Sequence, residues 1–231
     1  MAKNTLSDCA VFFDFDNTIT YFDVFDNIVE TFSVDKRWVA FENAWKRGEI
    51  GSKACLSGQL ESVRIDRSGL LNHLSRIKVD PYFKKIIELL KKRGITPVIV
   101  SDSFSFFLKY ILKNNGIYGI KMYSNRIKIA GDKLMPSFPY QHKNCKICGN
   151  CKKKHLLKNG AKEKIVIYVG DGLSDLCPAK NSDIVFAKGN LKDYLTKEGK
   201  SFFPFETLKD VYKKLGADEP KREDSKKLRE A

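Results

Sequence analysis

Three short apolar runs in this chain end alike, each delivering carboxylates or hydroxyls at its carboxyl end. Ala10-Val-Phe-Phe13 runs into Asp14-Phe-Asp16-Asn-Thr18, Ile95 to Val100 into Ser101-Asp102-Ser103, and Lys164 to Val169 into Gly170-Asp171-Gly172-Leu-Ser-Asp175. Runs of that length bounded by turn residues read as buried strands. Between them lie amphipathic helical patterns, Tyr82 to Arg93 stopped by Gly94 and Phe104 to Lys113 stopped by Asn114-Asn115-Gly116; short extended pieces from Ile120 to Ala130 and a fourth run, Asp183 to Ala187, follow. Strands alternating with helices predict an α/β fold: an open, mostly parallel, Rossmann-like sheet with helices on both faces. The strand ends of such a sheet share one edge, and ligands bind beyond it.

The first run ends at a cost. If its strand continues through Asp16, residues i and i+2 bring Asp14 and Asp16 to one face with little water to screen them. Uncompensated burial of charge costs several kcal/mol, so a metal, a shared proton or an anionic reaction centre is implied. Ser101, Asp171 and Asp175 converge on the same edge, and a hard cation with oxygen ligands is the natural way to hold such a set.

Residues 22–78 contain no convincing strand. Phe22, Phe25, Ile28, Val29 and Phe32 recur at helical spacing, and Gly48, Gly51 and Ser52 break the segment into short helices. This predicts a core of residues 1–21 and 79–216, with a small helical cap, residues 22–78, inserted after the first strand. Residues 217–231 are mostly charged or small and predict a disordered tail.

The formal charge of +14 invites a nucleic-acid reading. The lysines, however, are spread over helices with apolar periodicity, as in Lys84-Lys85 and Lys91-Lys92-Arg93, which favours solvated helix faces over a nucleic-acid stripe. No apolar run approaches the roughly 18 residues of a membrane span and no charged-then-apolar leader is visible, so the expectation is a cytoplasmic protein without membrane contact. Oligomeric state is not legible.

Together these motifs resemble the haloacid-dehalogenase-like phosphatases. That family carries Asp-x-Asp-x-Thr after an apolar strand, matched by Asp14 to Thr18; a Ser or Thr ending the next core strand, matched by Ser101; a Lys; and Gly-Asp-x-x-x-Asp after a strand, matched by Gly170 to Asp175. The resemblance implies Asp14 as nucleophile, forming an aspartyl-phosphate, and Asp16 as general acid and base. It implies Mg2+ held by the Asp14 carboxylate, the Asp16 carbonyl and Asp171, with Asp175 binding directly or anchoring from behind. Ser101 would donate to the phosphoryl group, and Thr18 and Asn17 would do the same from the first loop. Lys152 is the motif lysine of choice, with Lys153 and Lys154 as alternatives.

The place of the helical segment is that of the small cap of phosphoserine phosphatases, which carry an acidic residue where Asp23 stands. Asp23 reads equally as a substrate contact or a helix cap. The stretch His142-Lys-Asn-Cys145-Lys-Ile-Cys148-Gly-Asn-Cys151-Lys152 is similar to the branch containing phosphoethanolamine/phosphocholine, pyridoxal-phosphate and methionine-salvage phosphatases. Chemically, His142, Cys145, Cys148 and Cys151, with His155 beyond, have ligand types that suit structural Zn2+; the competing reading is a reduced, packed cysteine loop. The leading expectation is a magnesium-dependent phosphomonoesterase acting on a small phosphorylated metabolite. The alternative is a basic nucleic-acid or protein binding module that uses the cysteine loop.

Overall fold

The computed structural model describes residues 9–142, 145, 147–159 and 164–217. Among them, β1 (Cys9–Phe13), β2 (Val98–Phe104), β3 (Lys121–Ala130), β4 (Lys133–Ser137), β5 (Ile165–Gly170), β6 (Ile184–Ala187) and β7 (Phe203–Pro204) form one sheet. Its order is β4-β3-β2-β1-β5-β6-β7, and every pairing except β3 with β4 is parallel. The central strand β1 thus lies between the two strands whose ends carry Ser101 and Asp171. Crossovers on either side of it leave a crevice at its carboxyl end, where such sheets take their ligands.

Helices α1 (Val24–Phe32), α2 (Trp38–Lys46), α3 (Ser52–Leu60) and α4 (Arg67–Ser75) separate β1 from α5 (Pro81–Lys92). Then come α6 (Ser105–Asn114) after β2, α7 (Lys152–Asn159) before β5, α8 (Leu176–Ala179), α9 (Gly189–Lys197) and α10 (Leu208–Ala217). Alternation along β1 divides the core. Phe13 joins the cluster that holds Phe83, Ile86 and Leu90 of α5, Phe107 of α6 and Val211 of α10, whereas Phe12 joins Leu156 of α7, Tyr168, and Leu191 and Leu195 of α9. The sheet is therefore covered on both faces. On α5 the lysines Lys84, Lys85, Lys91 and Lys92 are exposed while Phe83, Ile86, Ile87 and Leu90 are buried, which is a solvated helix face. Among the described residues no helix is long and apolar enough to cross a membrane.

The segment carrying α1 to α4 leaves and rejoins the sheet at adjacent points: Thr20 bridges Val79, and the Asp80 N–H donates to the Ile19 carbonyl at 2.9 Å. Main-chain hydrogen bonds also tie it to more distant parts of the molecule. Ile65 N–H donates to the carbonyl of Asp132, in the β3–β4 turn, and Ser52 N–H to the carbonyl of Ile147, in the cysteine stretch.

Several strand limits differ from the sequence expectation. Pro97 cannot donate to a ladder, so β2 starts after it, at Val98. At its other end β2 runs on through Ser101-Asp102-Ser103, with a register shift against β3 between Val100 and Phe104. Side chains replace the broken ladder: Asn150 Nδ2 donates to the carbonyls of Ser101 (2.8 Å) and Tyr123 (2.9 Å), and Asn125 Nδ2 to that of Asp102 (2.6 Å). The extended pieces after Ile120 are one continuous strand that turns at Gly131 (φ +62°) into the unexpected β4. The short edge strand β7 was likewise not expected; two residues are too few to carry a pattern. Apart from Ala217, which ends α10, the charged tail lies outside the described residues.

Candidate active site

β1 stops at Phe13, but the Asp14 N–H still donates to the Val169 carbonyl at 2.9 Å, so Asp14 begins its turn directly from the ladder. The chain then folds back on Phe15, whose carbonyl accepts from the N–H groups of Ile19 (2.8 Å) and Thr20 (3.1 Å). Asn17 supplies the left-handed residue of this turn (φ +53°), a conformation its side chain tolerates. Asp14 and Asp16 are both buried and both line one cavity of about 300 Å³, brought there by the turn and not by strand alternation.

Lys152 opens α7 and is 2 % exposed. Its ammonium donates to Asp14 Oδ1 at 2.8 Å, Asp175 Oδ1 at 2.6 Å and Ser174 Oγ at 3.0 Å, so all three of its protons are engaged. Lys153 is half-buried, Lys154 is exposed, and neither lines the cavity. Burial alone would lower the Lys152 pKa; the carboxylates of Asp14, Asp175 and Asp102 outweigh it and hold the proton firmly.

Asp175 is wholly buried and is the hub of the arrangement. Oδ1 accepts from Lys152 and from the Tyr168 hydroxyl, and Oδ2 accepts from the N–H groups of Asp171 and Gly172, both at 3.0 Å. Gly170 permits this approach, because a Cβ there would lie 2.5 Å from Asp175 Oδ2. Four donors fill the roughly four lone-pair sites of a carboxylate. Asp175 thus ties Lys152 to the Asp171 main chain, and it does not itself line the cavity.

Asp171 is gripped from the first loop. Asn17 Nδ2 donates to its Oδ2 at 2.7 Å and Thr18 Oγ1 to its Oδ1 at 3.0 Å. Both residues are expected from the sequence to donate to a phosphoryl group; in the structure each donates to the Asp171 carboxylate, and Asn17 lines the cavity whereas Thr18 does not. Ser101 does line it. Its hydroxyl donates to Asp16 Oδ2 at 3.3 Å and accepts from the Ser103 N–H at 3.0 Å, while Asp16 Oδ1 accepts from the Val24 N–H at 3.0 Å. Asp23 combines both of its readings: Oδ1 caps α1 by accepting from the Asp26 N–H at 2.9 Å, and the residue lines the cavity.

Burial raises Asp14, Asp16, Asp23 and Asp171. It lifts Asp16 to about 7, against the Val24 N–H, and Asp171 to about 6, with Asp175 adding repulsion and Asn17 and Thr18 opposing. Asp14 is pushed well above the usual carboxylate range by burial and then by Asp175, more than Lys152 offsets. Asp23 is raised likewise by burial, then by Asp16 and Asp26. One ammonium therefore does not balance the buried carboxylates, and a bound cation would. Among the described residues, the group of three or more His, Cys, Asp or Glu side chains whose ligand atoms lie within 4.8 Å of one another is Asp14, Asp171 and Asp175. An all-oxygen set of this kind suits a hard divalent ion such as Mg2+.

The cysteine stretch assembles no comparable set: His142, Cys145, Cys148 and Cys151 do not converge within that distance. His155 is committed elsewhere, stacked on Tyr123 with ring centroids 4.1 Å apart and bonded to Asn150 Oδ1 at 2.7 Å. The zinc expectation is thus not supported. The stretch instead delivers Asn150, which braces the Ser101 carbonyl and donates its N–H to Asp102 Oδ1 at 3.1 Å, and Lys152 two residues on. Asn150, Tyr168 and Ser174 were given no role by the sequence, and Asp102 only a place among the polar residues that end the second run. The signal of Asn150, Ser174 and Asp102 is weak, since each acts through a partner 22 or more positions away, whereas Tyr168, near the end of an apolar strand, was a buried hydroxyl in need of an acceptor and finds it in Asp175 seven positions on.

The far wall of the cavity comes from the helical segment, with Asp26, Glu42, Trp45, Lys46 and Gln59 facing the acids of the sheet edge. Glu42 and Lys46 form an ion pair one helical turn apart.

A family profile described as Putative Phosphatase matches residues 9–202. The chain is 30 % identical over 217 residues to "Polyol phosphate phosphatase PYP1" of Saccharomyces cerevisiae, covering 87 % of this chain and 90 % of that one. It is 27 % identical over 209 residues to the "2-hydroxy-3-keto-5-methylthiopentenyl-1-phosphate phosphatase" of Bacillus cereus, covering 89 % and 94 %. Among solved structures, a phosphoaspartyl-intermediate analogue of phosphoserine phosphatase superposes with a TM-score of 0.68 at 19 % identity, covering 89 % of this chain and 98 % of that one; this similarity speaks for the fold.

Proposed function

The chain belongs to the Putative Phosphatase family, haloacid-dehalogenase-like phosphatases of phosphoserine-phosphatase type, and from that premise we propose that it hydrolyses a small polyol phosphate through an aspartyl-phosphate on Asp14. One observation carries this reading. Asp14 is buried at the cavity floor, and among the described residues its side-chain donor is Lys152, at Oδ1, which leaves Oδ2 to attack.

In the first half-reaction Asp14 Oδ2 bonds to phosphorus as the ester P–O bond breaks, and the departing oxygen takes the proton of Asp16. In the second, Asp16, now a carboxylate, removes a proton from water, whose oxygen attacks phosphorus and releases Asp14 and inorganic phosphate. A pKa of about 7 suits both duties near neutral pH. Lys152 offsets the negative charge that a phosphoryl group brings beside Asp14, and Ser101 is the hydroxyl nearest to the Asp16 side of the reaction. Asp14, Asp171 and the Asp16 main-chain carbonyl would hold Mg2+. When bound, the ion supplies charge neutralisation for the phosphoryl oxygens. Asp175, saturated by four donors, is read as the residue that positions Lys152.

Residues 22–78 are read as a cap that closes over the substrate and excludes water. Its polar wall, Asp26, Glu42, Lys46 and Gln59, suits a leaving group rich in hydroxyls, and the yeast relative is named for polyol phosphates. The test is phosphate release from p-nitrophenyl phosphate and from a panel of polyol and other metabolite phosphates, with Mg2+, for the protein and for Asp14→Asn. Loss of turnover in the variant is expected; equal rates would remove Asp14 as nucleophile.

A further inference from the structure

Asn150 and His155 are both buried and take no part in the reaction proposed above, yet they meet at the end of β2 that carries Ser101. The ladder between β2 and β3 shifts register there, and Asn150 fills the gap: its Nδ2 lies 2.8 Å from the Ser101 carbonyl and 2.9 Å from that of Tyr123. Both carbonyls can only accept, so the amide is set with its NH2 toward the two strands and its oxygen away from them. That oxygen lies 2.7 Å from His155 Nε2. It too can only accept, so Nε2 carries the proton, and the histidine holds the amide in the one orientation that bridges the strands.

The ring is itself fixed. It stacks on Tyr123 with centroids 4.1 Å apart and meets Tyr140 edge-on at 4.9 Å. Burial, with Lys154 and Lys158 adding repulsion, pushes its pKa down to about 4, so near neutral pH it has a single N–H to give. His155 follows Lys152 by three residues on α7. The helix that brings an ammonium to Asp14 therefore also holds, through Asn150, the strand end whose Ser101 hydroxyl meets Asp16. We propose that His155 is a positioning residue for the reaction: its Nε2–H bond to Asn150 fixes the extended end of β2 and with it the Ser101 hydroxyl. This rests on the reading of the site as a phosphatase in which Ser101 serves the phosphoryl transfer.

The experiment compares kcat/KM for p-nitrophenyl phosphate with Mg2+ in the unaltered protein, His155→Phe, His155→Gln, Ser101→Ala and the double variant of His155→Phe with Ser101→Ala. His155→Phe keeps a ring to stack and loses the donor, so kcat/KM should fall by about tenfold, the equivalent of one hydrogen bond. His155→Gln, whose amide can donate from a similar reach, should recover most of that loss. On top of Ser101→Ala the phenylalanine should cost little more, because the group that His155 positions is already gone. A lowered unfolding temperature with kcat/KM unchanged, a folded His155→Gln as impaired as His155→Phe, or the same tenfold cost with and without the Ser101 hydroxyl overturns the proposal and leaves the phosphatase reading standing. If His155→Phe does not fold, Asn150→Ala carries the same expectations against Ser101→Ala. A Ser101→Ala variant as active as the unaltered protein overturns the role given to Ser101 and the proposal with it. Absence of phosphate release from the unaltered protein overturns the reading of the site itself.

Discussion

Replacing Asp175 by asparagine changes one atom of a wholly buried side chain and no volume, yet it should damage both stability and turnover. In the native arrangement both oxygens accept two donors each: Lys152 and the Tyr168 hydroxyl at Oδ1, the N–H groups of Asp171 and Gly172 at Oδ2. An asparagine has one oxygen and one NH2. Whichever way the amide turns, its NH2 faces two donors, so two hydrogen bonds are lost and Lys152 keeps only Asp14 as a close counter-charge. A stranded buried donor costs roughly 1–3 kcal/mol, more when charged, so the expected loss is about 3–5 kcal/mol. For a chain of this size that lowers the unfolding midpoint by about 10 °C. Displacement of the Lys152 ammonium should lower kcat by about a hundredfold. The assay is thermal unfolding in a chelator, followed by turnover of p-nitrophenyl phosphate over a Mg2+ titration. A variant within about 2 °C of the unaltered protein in chelator, defective only in its Mg2+ requirement, would refute the reasoning and make Asp175 a direct ligand.

Thr18→Val removes one of the two donors that hold Asp171 and keeps the shape, so the Mg2+ concentration needed for half-maximal turnover should rise by about tenfold; an unchanged requirement would mean that Asn17 alone positions the carboxylate. Burial lifts Asp16 from 3.8 to about 7, so in chelator its contribution to stability is complete below about pH 4 and is lost as pH rises through 7. Between pH 6 and 8 the protein should lose about 1 kcal/mol relative to Asp16→Asn by denaturant unfolding, and a relative gain would contradict the burial argument.

The apolar runs of β1, β5 and β6 were legible because each is buried on both faces and ends at a turn residue, and α5 because Phe83, Ile86, Ile87 and Leu90 repeat at helical spacing. The extension of β2 through Ser101-Asp102-Ser103 was not. Those residues carry no apolar pattern, and their main chain is held extended by Asn125 and Asn150, 22 or more positions away. Asp14, Asp16, Ser101 and Asp171 could be singled out because they follow directly on such strands, and all four line the cavity. Among three consecutive lysines spacing has no preference; in the structure it is Lys152 that is buried between Asp14 and Asp175.

Sequence alone determined that acids and hydroxyls would gather at one sheet edge, since parallel strands that end in them can place them nowhere else. It also determined that burying so many carboxylates demands compensation. Only the tertiary structure decided which groups meet: Thr18 and Asn17 hold the Asp171 carboxylate, Asp175 accepts from Lys152, and Asn150 of the cysteine stretch braces the end of β2, with no metal cluster among the described residues of that stretch. Each of these depends on which of several chemically equivalent donors and acceptors lie within about 3 Å of one another. Strand periodicity determines the face of a residue; hydrogen-bond partnership is settled by packing between segments more than a hundred residues apart.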